Sequence, residues 1–460
     1  MNVMKGEKML FSSITFIYIF LPVMLLIFYM TPGKAKNLVL LLGSLFFYGF
    51  ETPKFLPIML GCIFITYING ILIQKYRNNI HFVISIILCL IPLVYFKYVN
   101  FFLENINSVF KTDIKLLKVI LPLGISFYTF QMISYLADVK RGKVEGEKSF
   151  IRLALYISFF PQLIAGPIVK YTDIRAQIEK KNISAEGFSE GILYFVCGLG
   201  KKVLIANQLG ELCNLYMPDN STVLMTWIYM LAYSLQVYFD FSGYSTMAIG
   251  IGKMFGFDLP VNFNYPFICS SIRDFWKRWH ITLSSFFKEY VYIPLGGSRC
   301  GAAKTIRNLF VVWFLTGFWH GADWNFIIWG LYFFVLLILE KHVLKNMNKT
   351  VRQVATVLLV AFSFVIFGAA DLTELAKTIG NLFTGAYADS RTLFVLRNYL
   401  VILVVAVVGS TPLVNTLYEK KIKNSRAAAI AEPVFIVGVI LLSTAYLIDG
   451  SFNPFLYFRF

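Results

Sequence analysis

Charge is what this chain has least of. Only 15% of its 460 residues are Asp, Glu, Lys or Arg, against about 25% in soluble domains. Hydrophobic residues take up the difference, at 58% against roughly 45–50%. That mixture cannot clothe a water-soluble surface, so a soluble enzyme, a disordered chain and a secreted scaffold are all excluded. Cysteine is scarce too. Cys62, Cys89, Cys197, Cys213, Cys269 and Cys300 form no C-x-x-C pair, which argues for reduced packing residues and against a disulfide or zinc framework. Histidine occurs only four times and never as H-x-x-x-H, so zinc binding on one helix face has no support. There is no G-x-x-x-x-G-K-[ST] loop to drive transport with ATP. There is no complete G-x-S-x-G elbow either: Gly243-Tyr244-Ser245 begins one and Met247 ends it. No Asp pair is spaced for a divalent metal, and no metal site is expected.

Acidic residues are outnumbered 25 to 42, a net charge of +17. The basic residues fall in short clusters between apolar runs, as in Lys140-Arg141-Gly142-Lys143 and Lys420-Lys421-Ile422-Lys423. Loops facing anionic headgroups explain such clusters, with membrane lipid as the partner. Nucleic acid is not an expected partner, because no reader motif accompanies the charge.

What the chain has in abundance is apolar length. About 20 residues of helix cross a hydrocarbon core of ~30 Å. Runs of that order fall near 13–31, 37–51, 55–74, 80–97, 118–138, 150–169, 188–208, 224–251, 308–339, 353–370, 394–411 and 431–449. They are continuous, not alternating at every second residue, which argues for helices over a barrel. The expected fold is an all-α polytopic membrane protein, with partial and re-entrant helices where Pro or Gly interrupts a run. The run Ile14 to Met30 has spanning length and no small-residue cleavage site, unlike a cleavable signal. The divisions expected are an N-terminal tail (1–12), N-terminal transmembrane helices (13–251), an amphipathic or re-entrant segment (252–307), a further span (308–339), C-terminal helices (340–450) and a tail (451–460). Residues 1–8 are polar and are either a short tail or precede a true start at Met9. Orientation stays open, since basic residues occur in successive loops.

Two histidines stand apart from the others, and one of them lies where an imidazole is expensive. His320 sits in Gly317-Phe318-Trp319-His320-Gly321-Ala322-Asp323-Trp324-Asn325, inside an otherwise apolar run. An intramembrane ionisable group is a functional hypothesis by default, and imidazole is the side chain best suited to move a proton near neutrality. The alternative is a histidine hydrogen-bonded within the bundle. His280 closes Phe275-Trp276-Lys277-Arg278-Trp279-His280, beside Arg273 and Asp274. It is either part of a solvated interfacial helix or the partner of His320, as the repeated Trp-His dipeptide suggests. Asp240, in Tyr238-Phe239-Asp240-Phe241-Ser242-Gly243-Tyr244-Ser245, needs a cationic partner or a proton. It either orients a catalytic histidine or anchors a buried ion pair. His81 and His342, at segment ends, read as interfacial.

In this order the strings resemble the membrane-bound O-acyltransferase (MBOAT) family, in its bacterial alginate O-acetylation branch. Further strings carry the resemblance: Met9-Leu10-Phe11-Ser12-Ser13, Leu121-Pro122-Leu123-Gly124-Ile125-Ser126-Phe127, Phe160-Pro161-Gln162-Leu163-Ile164-Ala165-Gly166-Pro167-Ile168 and Tyr292-Ile293-Pro294-Leu295-Gly296-Gly297. The chain departs from the family at Thr246, where Asp is common, and at Phe286-Phe287-Lys288-Glu289, where Trp-x-Arg-Asp is common.

The resemblance implies a bundle of about 11–13 transmembrane helices around a central tunnel. His320 would be the essential histidine and His280 the second signature residue, with Trp319, Asp323, Asn325, Asp240, Arg273, Arg278, Trp279 and Gln162 supporting them or lining the tunnel. It implies no bound cofactor. The acyl donor would be a cytoplasmic thioester, acetyl-CoA or an acyl carrier protein. The acceptor would be an extracytoplasmic polysaccharide, reached through a separate extracytoplasmic acetyltransferase, and the setting a bacterial inner membrane. The ending Phe455-Leu456-Tyr457-Phe458 is similar to that of partner peptides in teichoic acid D-alanylation; Tyr457 would be either an acyl relay or an aromatic anchor. The rival readings are D-alanyl transfer to teichoic acid and, from another class, a proton-coupled transporter or flippase using His320 and Asp240.

Overall fold

A chain buried in hydrocarbon must satisfy its own backbone polar groups, and a helix does so within one segment. The computed structural model describes residues 9–164, 166–343, 347–423 and 425–449. Of these, 77% are helical and none lies in a strand, the all-α polytopic membrane architecture that the apolar runs require. Residues 1–8 and the tail 451–460, with Tyr457, lie outside the described residues.

Among the described residues, seven helices are long and apolar enough to cross a membrane: Pro53–Tyr76, Asn79–Phe110, Ala185–Asn214, Trp324–His342, Lys349–Gly368, Ser390–Gly409 and Ala428–Ile448. That is fewer than the dozen apolar runs, and the differences have local causes. The run at 118–138 is helical only from Ile125, in α1 (Ile125–Lys140), because residues 112–122 carry no helix. The run at 150–169 doubles back. α2 (Phe150–Ser158) breaks at Phe159 (ψ 110°), and Pro161 opens the single turn α3 (Phe160–Leu163). The Tyr156 hydroxyl then donates to Val169 O at 2.9 Å, so the returning chain lies beside the outgoing helix. Proline fits the first turn of a helix but cannot continue one, which places the break here.

Two further helices have spanning length but a more polar composition: α4 (Val223–Met254, 32 residues) and α7 (Ala302–His320, 19 residues). In α4 the polar residues Ser234, Gln236, Asp240, Ser242 and Ser245 are all buried. A helix whose polar groups face protein need not look like a lipid-facing one.

The chain divides into two compact units, Met1–Phe195 with Met247–Pro260, and Val196–Thr246 with Val261–Phe460. The first holds α1 to α3. In it Gly124 opens α1 with φ +69°, and a Cβ there would collide with Leu163 O.

The second unit holds both Trp-His pairs. After α4 come the short helices α5 (Ile272–Trp276) and α6 (Ile281–Phe287), then α7, α8 (Trp324–His342) and α9 (Lys349–Gly368). Trp276, Trp313, Trp329 and Phe333 pack ring against ring with centroids 4.6–5.8 Å apart. α7 and α8 meet through glycine: a Cβ on Gly317 would run into Phe326 O, and one on Gly330 into Trp313 O. Small residues permit this approach in membrane helices, and backbone cannot step aside as a flexible side chain can. Gly317→Ala is therefore expected to destabilise the detergent-solubilised protein by roughly 1–3 kcal/mol, with Val335→Ala, on an exposed face, as the neutral control. Equal melting of the Gly317 variant and wild type would show that this contact does not hold the pair.

Candidate active site

His320 is the last residue of α7, and Gly321 follows it in extended conformation. A side chain at 321 would strike the Phe326 ring, so the chain turns beneath that ring into α8. The imidazole is buried among aromatic rings: Trp319 at 4.9 Å, Trp329 at 4.9 Å and Phe367 at 5.4 Å between centroids. Asn325 ties this corner to the end of α9, its amide donating to Phe367 O (3.2 Å) and Ala369 O (2.9 Å).

His280 immediately precedes α6 and has left-handed backbone (φ 43°, ψ 54°). That conformation is uncommon outside glycine, and strained residues gather at functional sites. The residue is fully buried. Its ring stands edge-on to Phe241 at 4.7 Å and lies 6.1 Å from Trp319. The two imidazoles, forty residues apart in the chain, thus both lie near one indole. Asn262 holds the His280 turn through four contacts. Its backbone oxygen accepts from Ile281 N–H at 3.0 Å, and its Oδ1 lies 3.2 Å from Thr282 N, 2.9 Å from Thr282 Oγ1 and 3.1 Å from His280 Nδ1. Burial pushes the His280 pKa down to about 3, because a charged imidazole has no water to solvate it there.

Asp240 pairs with Lys202, Oδ1 to Nζ at 2.6 Å, with side chains 4% and 2% exposed. Lys202 also donates to Asn207 Oδ1 at 2.9 Å. It sits in a π-helical turn, Lys201–Ala206, a distortion often found at functional positions. Trp279 is buried, its ring centroid 5.5 Å from Phe275 and 5.1 Å from Phe364.

Other residues singled out from sequence have partners of their own. Arg278 bonds Asp274 (3.1 Å) and Asn264 O (3.3 Å), and Arg273 is exposed. Burial alone would raise the Asp274 carboxyl; hydrogen bonds from Ser270 and Arg278 outweigh it and hold the pKa below the usual carboxylate range. Asp323 is exposed and caps α8, accepting from Trp324 N. Gln162 belongs to the first unit, where its amide donates to Tyr156 O at 2.5 Å. No cluster of three or more His, Cys, Asp or Glu placed to hold a metal ion occurs among the described residues.

Sequence reasoning missed Asn262, Lys202 and Ser245. Lys202 had a visible signal, a lysine inside an apolar run that needs an acidic partner as much as Asp240 needs a cation. Asn262 had none, since an asparagine among aromatic loop residues is ordinary.

Comparison with known proteins bears on this arrangement. The model of the membrane-bound O-acyltransferase family matches residues 144–373. The chain is 39% identical to a "Peptidoglycan O-acetyltransferase" of Helicobacter pylori over 425 residues, covering 82% of this chain and 80% of the relative. It is 35% identical to a "Probable alginate O-acetylase AlgI" of Pseudomonas putida over 487 residues, covering 98% and 100%. A "Teichoic acid D-alanyltransferase" of Bacillus subtilis is 32% identical over 266 residues, 54% of this chain and 67% of the relative.

Proposed function

This chain belongs to the membrane-bound O-acyltransferase family, and from that premise we propose that it moves an acetyl group from a cytoplasmic thioester to hydroxyl groups destined for an extracytoplasmic polymer. It is an O-acyltransferase enzyme and a multi-pass membrane protein. The acceptor in this reading is a cell-surface polysaccharide or peptidoglycan, as the names of the two long relatives suggest. Acetyl is preferred to D-alanyl because the D-alanyl relative matches only about half of this chain. The membrane is the bacterial inner membrane, the donor is acetyl-CoA or an acyl carrier protein, and an extracytoplasmic acetyltransferase completes delivery.

The observation that carries the reading is the pair of buried imidazoles that share Trp319 as a ring neighbour. A hydroxyl is a poor nucleophile until a base within hydrogen-bonding reach takes its proton. In the proposed step His320 accepts that proton as the oxygen bonds to the thioester carbonyl carbon. The tetrahedral intermediate then collapses, the C–S bond breaks, and the thiolate leaves with the proton returned by the imidazolium. The products are an ester and a free thiol. Burial of both histidines supports a site closed to bulk water, which protects the thioester from hydrolysis.

The test is NMR of the isolated surface and secreted polymers, from cells with and without the gene. The expected result is an acetyl ester that depends on the protein and whose position identifies the acceptor. A D-alanyl ester in its place would correct the acyl group. Polymers relocated but unchanged in ester content would replace the reading with transport, since a transporter alters only where a molecule is.

A further inference from the structure

The contacts around Asn262 settle a proton that the fold alone leaves open. The backbone N–H of Thr282 can only donate, and it points at one terminal atom of the Asn262 side chain. That atom is therefore the carbonyl oxygen, and the orientation of the amide follows. At its other end the amide nitrogen lies 3.2 Å from Ser245 Oγ, to which it donates. The same oxygen lies 3.1 Å from His280 Nδ1. A carbonyl oxygen only accepts, so Nδ1 must carry a hydrogen.

We infer that Asn262 is a positioning residue of the acyl-transfer site, holding His280 in the tautomer with its proton on Nδ1, so that Nε2 meets the substrate as a lone pair. The inference rests on the acyl-transfer reading for its function but not for its geometry. Burial keeps the ring neutral, with a pKa near 3, and a neutral imidazole has a single N–H. Nε2 is buried and has no hydrogen-bond partner among the described residues. Buried acceptors are normally satisfied, and an O–H or N–H of bound substrate supplies the donor that this one lacks. His280 then orients the substrate by accepting from it. It cannot donate to the developing oxyanion, whose stabilising donors must lie elsewhere, while His320 remains the base. The motif that supplies Ser245 acquires a role by the same route, because its hydroxyl holds the Asn262 amide from behind.

α7 and α4 pack against His280 through Trp319 and Phe241. Next to those rings in the chain stand the titratable His320 and Asp240, the latter paired with Lys202, and α4 and α7 also carry Tyr238, Tyr244, Lys253, Lys304 and Arg307. Asn262→Asp replaces a neutral acceptor with a charged one that still receives the Nδ1–H but also favours imidazolium. The His280 pKa rises, and Nε2 is lost to protonation as pH falls through the raised value. Asn262→Leu removes the acceptor and frees the tautomer.

The experiment is ¹⁵N NMR of the full chain in lipid nanodiscs, labelled at histidine, with the His280 signals assigned by difference against His280→Gln. Wild type is expected to show protonated Nδ1 and unprotonated Nε2 at His280 from pH 6 to 8. Asn262→Leu is expected to lose this state and roughly 10- to 100-fold in kcat, while Asn262→Asp stays within about tenfold at pH 8 and gains an acid limb in its pH–rate profile. A protonated Nε2 in wild type overturns the inference. So does wild-type kcat and an unchanged pH profile in both Asn262 variants. If no acyl transfer is found in wild type, the functional reading fails by itself, while the tautomer assignment is still decided by the spectrum.

Discussion

Cells carrying His320→Ala in place of the wild-type chain are expected to lose at least about 99% of the polymer ester that depends on this protein. Proton transfer by a positioned side chain contributes on the order of 10²–10⁴-fold, and His320 is the base of the proposed step. The difficulty in testing it is that His320 also packs. Its ring contacts Trp319, Trp329 and Phe367, so alanine removes volume as well as the base. His320→Gln keeps most of the volume and a hydrogen-bonding end but cannot cycle a proton near neutrality. Both variants are expected to be inactive, with the glutamine form at wild-type abundance in the membrane. Ester content by NMR, set against protein level by immunoblot, separates the two effects. Wild-type ester formation by His320→Gln would make this histidine structural and remove the mechanism proposed above. Low ester explained wholly by low abundance in both variants would have the same consequence.

The largest expected effect on folding concerns Lys202 and Asp240. Breaking a buried ion pair by removing one partner leaves an uncompensated charge and destabilises by about 3–5 kcal/mol, while replacing both partners with apolar residues of similar volume is often neutral. With both side chains almost wholly buried, Asp240→Ala and Lys202→Met are each expected to remove most folded protein from the membrane. The double variant Lys202→Met/Asp240→Leu is expected to recover much of it. Fluorescence size-exclusion of solubilised membranes reads this directly. Single variants as abundant as wild type would mean that the pair is solvated or otherwise compensated. The recovered double variant also separates folding from chemistry. Activity in it would confine the pair to a structural role, whereas folded but inactive protein would give Asp240 or Lys202 a part in the reaction.

Much of this protein was legible without coordinates. The excess of apolar residues requires a membrane, and the continuity of the runs requires helices. The cost of an imidazole or carboxylate in hydrocarbon draws attention to His320 and Asp240 by position alone, with His280 raised only by the repeated Trp-His dipeptide. Composition also misled in identifiable places. The run at 150–169 has the length to cross, yet Pro161 and the bond from Tyr156 to Val169 turn it back. α4 is more polar than an ordinary span because Ser234, Gln236, Asp240, Ser242 and Ser245 are buried, a distinction that average hydropathy erases.

What only the tertiary structure decided is which partner each costly residue has. Helical periodicity tells which residues share a face, but not which helix will lie against that face. The partner of Asp240 comes from the π-helical turn that holds Lys202, and the acceptor for His280 Nδ1 comes from Asn262 in a loop. Trp319 joins the two histidines only because α7 ends where the His280 turn lies. The sequence determined that charge and imidazole would be buried. Packing between distant segments decided where each proton rests, because hydrogen bonds and ion pairs depend on distances that residue order does not encode.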